Sequence, residues 1–172
     1  MRLNSVAIGA VAFTLAGAVV MGQTPLKVEM KNAKGDSVGV ATITEKKGAG
    51  VQIALELKGL PAGEHALHFH MTPKCEGPEF TSAGGHFNPT GKKHGMQNPE
   101  GPHAGDMSNF TVAANGSAKT TVSNANVTLG TGANSLFANG GTALMVHAAP
   151  DDMKSDPAGN AGARIACGVI TK

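Results

Sequence analysis

Aromatic side chains are scarce in this chain. Of its 172 residues none is Trp or Tyr, and six are Phe. This composition disfavours stacking of nucleic-acid bases on aromatic side chains as a main mode of binding. The formal net charge is only +2, which is too small to attract a nucleic acid or an acidic membrane surface. We expect neither partner, and we expect a core that is mostly aliphatic.

Acidic residues are absent from the first 22 positions, where an early Arg is followed by a mostly apolar run. This composition predicts a signal peptide over 1–22, and the small residues Val20 and Gly22 suit cleavage after Gly22. The alternative is an anchor that stays attached, but the apolar run from Val6 is at the short limit for a transmembrane helix. We therefore expect one exported domain over 23–172, periplasmic or secreted, without stable membrane association after cleavage.

Cysteine is limited to Cys75 and Cys167. In an exported protein two cysteines favour a disulfide. The bond would close a loop of about 90 residues and stabilise the fold by roughly 4–5 kcal/mol through the entropy of the unfolded chain. The alternative is a pair of free, buried thiols.

Helical periodicity is missing, and short alternating segments take its place. Val51, Ile53, Leu55 and Leu57 are separated by single residues, as in a half-buried strand. Comparable segments between turn residues predict three strands over 26–60, a fourth at 65–71, a hairpin over 107–124 with its turn at 114–117, and two last strands at 142–148 and 163–170. The pattern predicts an all-β fold, an antiparallel barrel or sandwich.

A long segment, 72–106, follows no period, yet it contains His86, His94 and His103 and ends on Asp106. The Pro and Gly residues between the histidines exclude a helix and disfavour a strand. Irregular segments of this length in a small domain are usually functional or disordered. We predict that a metal holds one end of the segment and the disulfide at Cys75 the other, without a strand ladder.

Two histidines of the fourth strand, His68 and His70, are two residues apart and therefore point to the same face, where two imidazoles can bind one metal. His65 faces the other way and is predicted to be a structural hydrogen-bonding residue. Any single His can be a polar surface residue, but this pairing weakens that alternative. Together with the loop histidines, Asp106 and His147, the pair indicates one or two transition-metal sites, because imidazole suits copper and zinc and a carboxylate suits zinc. The residues alone leave open which metal binds and how the ligands divide.

Five stretches together resemble the copper/zinc superoxide dismutases. They are HFH at 68–70, SAGGHFNPTGKKHG at 82–95, GPHAGD at 101–106, MVHAAPDD at 145–152 and GNAGARIACGVI at 159–170. Any one of them is a weak signal, whereas the combination is specific. The resemblance is detailed from His65 to the end of the chain, and the N-terminal strands agree in pattern only. It implies an eight-stranded antiparallel Greek-key barrel with long metal-binding and electrostatic loops.

The resemblance also implies the ligands, by matching positions. Copper would be bound by His68, His70, His86 and His147. Zinc would be bound by His86, His94, His103 and Asp106, so that His86 bridges the two metals. The carboxylate of Asp151 would link a copper histidine to a zinc histidine. Arg164 would attract the anionic substrate beside the copper, and Cys75 and Cys167 match the disulfide that the family forms within one subunit.

Three departures from the family pattern leave every ligand in place. Ala66 and Leu67 stand where Gly-Phe is usual, so tighter backbone packing is expected beside the copper strand. Met71 stands where an acid is common. The loop 150–162 is short, as in bacterial members, which predicts a different charge pattern along the path of the substrate.

The activity implied by the resemblance is the conversion of two superoxide anions and two protons to dioxygen and hydrogen peroxide. Copper would alternate between Cu(II) and Cu(I), zinc would be structural, and His86 and Arg164 would be the catalytic residues. Two alternatives are a copper carrier or metal-binding module on the same barrel, and a structural barrel in which only the zinc loop works. Retention of all copper ligands and of Arg164 argues against both. Bacterial members include monomers and homodimers, and no apolar edge in the sequence decides between them.

Overall fold

Nine antiparallel strands form nearly all regular structure in residues 24–172, the part of the chain that the computed structural model describes. They are β1 (Leu26–Asn32), β2 (Ser37–Lys46), β3 (Gly50–Leu57), β4 (Gly63–His65), β5 (Leu67–His70), β6 (Phe110–Val112), β7 (Ala118–Asn124), β8 (Thr142–His147) and β9 (Arg164–Ile170). Helical structure within 24–172 is limited to two short 3-10 turns, and no helix there is long and apolar enough to cross a membrane. The all-β prediction is confirmed, while the predicted signal peptide at 1–22 lies outside the described residues.

The strands form a curled seven-stranded sheet in the order β5-β8-β9-β1-β2-β3-β7, and β4 pairs with β6 in a small second sheet. The predicted fourth strand, 65–71, is interrupted at Ala66: its first residue, His65, ends β4, and β5 forms most of the rest. The backbone N–H of Ala66 donates to Ala149 at 3.0 Å, and its carbonyl accepts from His147 at 3.0 Å. This interruption accounts for nine strands where eight were predicted, and it carries the chain from the small sheet into the large one.

The segment predicted as a hairpin over 107–124 has its turn in the expected place but a different pairing. The turn is closed by a hydrogen bond from the N–H of Gly116 to the carbonyl of Ala113, at 2.9 Å. The strands on either side do not pair with each other, because β6 pairs with β4 and β7 pairs with β3 along its full length. Alternation identifies a strand and its buried face, but it carries no information about the partner strand.

The core lies inside the curled sheet, and the alternation predicted for β3 is confirmed. Val51, Ile53, Leu55 and Leu57 are all buried, and full burial of such a side chain contributes about 1.5–3 kcal/mol. β5 and β8 are buried on both faces. One face of each packs into the main core, and the other is covered by loops, in part through a second apolar cluster of Phe80, Ala83, Ala143, Met145 and Cys167.

A disulfide joins Cys75 to Cys167 across 92 residues of sequence. The bond confirms the predicted pairing and excludes the alternative of two free thiols. It attaches the start of the irregular segment to β9, next to the second apolar cluster. The segment 72–83 is therefore fixed to the same sheet that contains β5 and β8.

The segment 72–106 is also held by backbone hydrogen bonds, so the prediction that it lacks a ladder is wrong. The N–H of Phe87 donates to the carbonyl of Phe69 at 2.7 Å, and the N–H of Phe69 donates to Gly105 at 3.0 Å. These bonds place His86 opposite His70 and Asp106 opposite His68 along the free edge of β5. Gly105 is required for this approach, because a Cβ atom there would lie 2.4 Å from the carbonyl oxygen of Phe69.

Candidate metal centre

Six of the seven histidines and Asp106 meet along the free edge of β5. β5 supplies His68 and His70 from one face, β8 supplies His147 at its last position, and the irregular segment supplies the others. All six histidine residues are buried, none more than 7% exposed. The strand spacing of two residues and the ladder on β5 are what bring the rings together.

One group of four imidazoles consists of the side chains predicted for copper. Ligand atoms of His68, His70, His86 and His147 lie within 4.8 Å of one another. The Nε2 atoms of His70 and His147 face each other at 3.4 Å. Their Nδ1 atoms donate to the carbonyl oxygens of Gly84 and Gly162, at 2.9 and 3.2 Å. Because a carbonyl only accepts, each Nε2 presents its lone pair to the centre of the group.

A second group surrounds one oxygen of Asp106. The Nδ1 atoms of His86, His94 and His103 lie 2.8, 3.1 and 3.3 Å from Asp106 Oδ1. The other oxygen, Oδ2, accepts from the backbone N–H groups of Gly95 and His103, both at 2.9 Å, which fixes the carboxylate. A set of four residues whose ligand atoms all lie within 4.8 Å of one another consists of His68, His86, His94 and Asp106, with His68 in the place predicted for His103. His103 belongs with Asp106 through its Nδ1, which lies 3.3 Å from Oδ1.

Asp151 lies between the two groups. Its Oδ2 accepts from His68 Nε2 at 2.8 Å, and its Oδ1 accepts from His94 Nε2 at 3.0 Å. The carboxylate is buried, and the backbone N–H of Met153 donates to Oδ1 at 2.6 Å. Gly159 leaves the space for this arrangement, since a Cβ atom there would lie 1.8 Å from Asp151 Oδ1. Gly159 was not predicted as part of the site, because a glycine in a loop does not reveal which side chain fills the space that its Cβ would take.

Burial lowers the pKa of the copper-group histidines. The pKa of His70 falls to about 2, and those of His86 and His147 fall to about 4, mainly because burial disfavours the charged ring. Burial also lowers the pKa of His68. In the metal-free protein these rings are therefore neutral near pH 7 and are ready to act as ligands.

His94 behaves in the opposite way. Burial alone would lower its pKa, but the close contacts with Asp106 and Asp151 outweigh burial and raise the pKa to about 9. Hydrogen bonds from the surrounding histidines outweigh burial and hold the pKa of both carboxylates well below the usual range, with His103 and His86 contributing most at Asp106 and His68 at Asp151. In the metal-free protein His94 is therefore a cation between two anions near pH 7.

Three buried ring nitrogens form no hydrogen bond within the described residues. They are His68 Nδ1 and His86 Nε2, which have no partner, and His94 Nδ1, whose 3.1 Å contact with Asp106 Oδ1 is an ion pair without hydrogen-bond alignment. A buried polar atom without a partner costs about 1–3 kcal/mol, so an ion among the four imidazoles would remove an unfavourable arrangement. The all-imidazole group suits copper, and three imidazoles with one carboxylate suit zinc. The residues present therefore fit both metals.

A cleft of about 530 Å³ leads to the imidazole group and is lined in part by His70, His86, His147 and Arg164. The guanidinium of Arg164 donates to the carbonyl oxygens of Phe80 and Gly84, both at 2.7 Å. Within residues 24–172 no carboxylate forms a salt bridge with Arg164, and none lines the cleft. Met71, which replaces the usual acid, is 53% exposed and lines the cleft. The cleft therefore presents one fixed positive charge to an anion.

His65, the seventh histidine, stands apart as expected. Its Nδ1 lies 2.7 Å from the carbonyl oxygen of His147, and its Nε2 lies 2.8 Å from that of Pro61. The ring thus connects β4 to the end of β8 through backbone atoms and offers no nitrogen to either group.

Comparison with known proteins agrees with this geometry. Residues 37–170 match the family described as copper/zinc superoxide dismutase. The chain belongs to this family. A relative named Cu-Zn superoxide dismutase 2, from Aquifex aeolicus (strain VF5), is 56% identical over 144 residues, which are 83% of this chain and 84% of the relative. A second protein of that organism, named Cu-Zn superoxide dismutase 1, is 54% identical over 83% of this chain and 85% of its own length.

Two solved structures have the same fold as this chain. A mutant of a SOD-like protein from Bacillus subtilis is 36% identical and gives a TM-score of 0.82 over 85% of this chain and 97% of that one. The Cu/Zn superoxide dismutase from Brucella abortus is 30% identical and gives a TM-score of 0.71 over 86% and 99%. Members of the copper/zinc superoxide dismutase family therefore share with this chain nearly the whole of the described barrel.

Proposed function

We propose that this chain converts two superoxide anions and two protons to dioxygen and hydrogen peroxide. Copper would be held by His68, His70, His86 and His147. Zinc would be held by His86, His94, His103 and Asp106. The observation that carries the proposal is the position of His86, whose Nδ1 belongs to the Asp106 group while its Nε2 lies unpaired at the cleft among the other imidazoles.

Copper, when bound, supplies a reversible one-electron change that zinc does not undergo. The chain's own residues orient the ligands and handle the proton. His70 and His147 are fixed by backbone carbonyls, so their lone pairs are aimed before any metal arrives. His86 Nε2 forms no hydrogen bond with the described part of the chain and can hold a proton, while its Nδ1 keeps the ring in place within the Asp106 group.

Arg164 is proposed to capture the anionic substrate. Its two carbonyl contacts hold the guanidinium at the wall of the cleft without neutralising it. A permanently charged, planar group held in this way attracts a small anion better than a mobile ammonium. Among residues 24–172 no carboxylate lines the cleft, so none there opposes this attraction.

The test is dismutation measured against metal content. Metal-free protein is prepared and loaded with copper and zinc, with copper alone or with zinc alone, and the bound metals are quantified in each sample. We expect superoxide decay in proportion to bound copper and none with zinc alone. Full retention of copper without dismutation would instead identify a carrier.

We further propose that the chain is exported after cleavage behind Gly22 and acts in the periplasm or outside the cell. The support is the acid-free, apolar composition of 1–22 and the disulfide, which is stable in oxidising compartments. Mass spectrometry of the protein recovered from cell fractions should find a chain that begins at Gln23. Sedimentation of that species distinguishes a monomer from a homodimer, and a species that retains 1–22 in the membrane fraction would contradict cleavage.

A further inference from the structure

Asn109 makes a paired contact with the backbone of Asp151. Its Nδ2 donates to the carbonyl oxygen of Asp151 at 3.0 Å, and its Oδ1 accepts from the N–H of Asp151 at 2.9 Å. Asn109 lies three residues after Asp106, directly before β6, whereas Asp151 belongs to the loop that follows β8. One side-chain amide therefore joins two loops that are 42 residues apart in sequence.

No other hydrogen bond holds the backbone of Asp151 within residues 24–172. The neighbouring residues Ala149 and Asp152 are fixed within their own loop, by Ala161 and Gly159. Asn109 therefore holds the Asp151 backbone against the segment before β6, whereas the adjoining N–H of Asp152 and the Asp151 carboxylate are held within the later loop by Gly159 and Met153. A side-chain amide suits this task because it offers a donor and an acceptor at once, matching the two groups of one peptide-bonded residue.

The orientation of two imidazoles depends in turn on Asp151. The Nε2 atoms of His68 and His94 both bond to its carboxylate. A partner on the outer nitrogen fixes the tautomer and the ring angle of a metal-binding histidine. If the Asp151 backbone moves, both rings lose their support.

The zinc group depends on this support more than the copper group does. Among the copper-group rings, His70 and His147 have carbonyl partners of their own. In the zinc group, the outer Nε2 of His103 has its nearest carboxylate, that of Asp156, at 3.9 Å, which is too far for a hydrogen bond. His94 is therefore the zinc-group ring with a close outer partner, and that partner is Asp151.

We propose that Asn109 is a positioning residue for the zinc site. Its amide fixes the backbone of Asp151, and through the Asp151 carboxylate it sets the angle at which His94 meets the metal. The inference rests on the proposed function in one respect, namely that His94 is a zinc ligand.

The experiment is a double-mutant cycle on zinc affinity. Zinc is titrated into metal-free wild type, Asn109→Ala, Asp151→Ala and the double variant, in competition with a chromogenic chelator. We expect about tenfold weaker zinc binding for Asn109→Ala and 10–100-fold for Asp151→Ala. Because Asn109 acts through Asp151, the double variant should bind zinc no more weakly than Asp151→Ala. Unchanged affinity in Asn109→Ala, or losses that add in the double variant, would overturn the inference.

A matched control is Asn98→Ala. Asn98 Nδ2 also donates to a carbonyl of the later loop, that of Lys154 at 3.4 Å, but it does not contact Asp151. The zinc affinity of Asn98→Ala should stay within about twofold of the wild-type affinity, a change near the few tenths of a kcal/mol expected for surface substitutions. A tenfold loss of zinc affinity in this control would mean that removing any hydrogen bond between the two loops weakens zinc binding. That result would overturn the specific role of Asn109.

Two further variants keep the outcomes separate. If Asn109→Ala does not fold, Asn109→Asp replaces it; the added carboxylate faces the carbonyl oxygen of Asp151 and should also weaken zinc binding, and wild-type affinity in Asn109→Asp overturns the inference. His94→Ala tests the assumption that His94 is a zinc ligand. Wild-type zinc affinity in His94→Ala would contradict the proposed zinc ligand set itself. Weaker zinc binding in His94→Ala together with wild-type affinity in Asn109→Ala would contradict only the role of Asn109.

Discussion

The copper group and the zinc group are held by different parts of the fold, and their ligands are prepared in opposite ways. Three of the four copper-group imidazoles belong to strands β5 and β8, and burial keeps their rings neutral. All zinc-group side chains belong to the irregular segment, and two carboxylates keep His94 protonated in the metal-free protein. The barrel thus presents copper ligands in advance, whereas the zinc group is completed only when a cation replaces a proton. His86 belongs to both groups and therefore connects the copper ligands on the strands to the zinc ligands of the irregular segment.

The largest expected effect concerns the covalent support of the copper side. The disulfide fixes the segment that contains Phe80 and Gly84, whose carbonyls hold Arg164 and, in the case of Gly84, also His70. Cys75→Ser should lower the free energy of unfolding by roughly 4–5 kcal/mol, according to the entropy of the closed loop. Denaturant titration of the oxidised, reduced and Cys75→Ser proteins checks this. Identical unfolding midpoints in all three would contradict a stabilising role.

Substitution of the shared ligand His86, compared with substitution of the zinc-group ligand His94, should distinguish the two groups most clearly. His86→Ala removes one ligand from each metal, so both affinities should fall by more than the roughly 100-fold that outer partners of ligands reach. His94→Ala should weaken zinc binding by a similar factor and should weaken copper binding far less. Parallel titrations with copper and with zinc measure all four values. Copper-only losses in both variants would contradict the division into two groups.

The opposite pKa shifts predict opposite pH dependences of metal binding. Zinc needs the neutral ring of His94, whose pKa is about 9, so the zinc affinity should rise about tenfold per pH unit from pH 7 to about 9. His70, His86 and His147 have pKa values of about 2 to 4 and are already neutral, so they add no such slope for copper. Calorimetry in buffers of different ionisation enthalpy counts the protons released. If copper binding and zinc binding release the same number of protons at pH 7.5, the predicted difference in pH dependence is wrong.

The smallest expected effect concerns Arg164, which acts on the copper side alone. Arg164→Ala should lower the second-order rate with superoxide about tenfold, the low end of the range for electrostatic steering, and should leave both metal contents unchanged. The wild-type rate should fall as salt is added, because the Debye length shrinks to about 10 Å near 0.1 M. In Arg164→Ala this salt dependence should flatten, because the charge that salt would screen has been removed. Arg164→Lys should lose less and Arg164→Glu more.

Stopped-flow decay of superoxide at several ionic strengths measures both the rate and its slope in these variants. An Arg164→Ala variant with the full rate and the full salt dependence would contradict the role of Arg164. Steering would then come from exposed lysines such as Lys154.

Much of the barrel was predictable because a strand that buries one face must alternate. The pattern of β3 and the i, i+2 spacing of His68 and His70 follow from the geometry of a single strand. Pairing was predicted less well. β6 and β7 pair with β4 and β3 instead of with each other, and β5 forms a ladder with the irregular segment. Both arrangements depend on contacts between distant parts of the chain.

The same limit applied to the metal centre. The residues alone indicated transition-metal sites, and the motifs that resemble the family divided the ligands. Asn109 and Gly159 were missed, since neither has a chemistry that marks it in sequence. Asn109 acts by its distance to the Asp151 backbone, and Gly159 by the space that its missing Cβ leaves.

By itself, the sequence determined the all-β class, the disulfide partners and the side chains available to metals, because these depend on residue type and on local spacing. Only the tertiary structure decided which strands pair and that one oxygen of Asp106 faces three imidazoles. It also decided that His94 holds its proton while His70, His86 and His147 are neutral. The physical reason is that hydrogen-bond partners, burial and pKa arise from the distances between groups remote in the chain, and those distances exist only after folding.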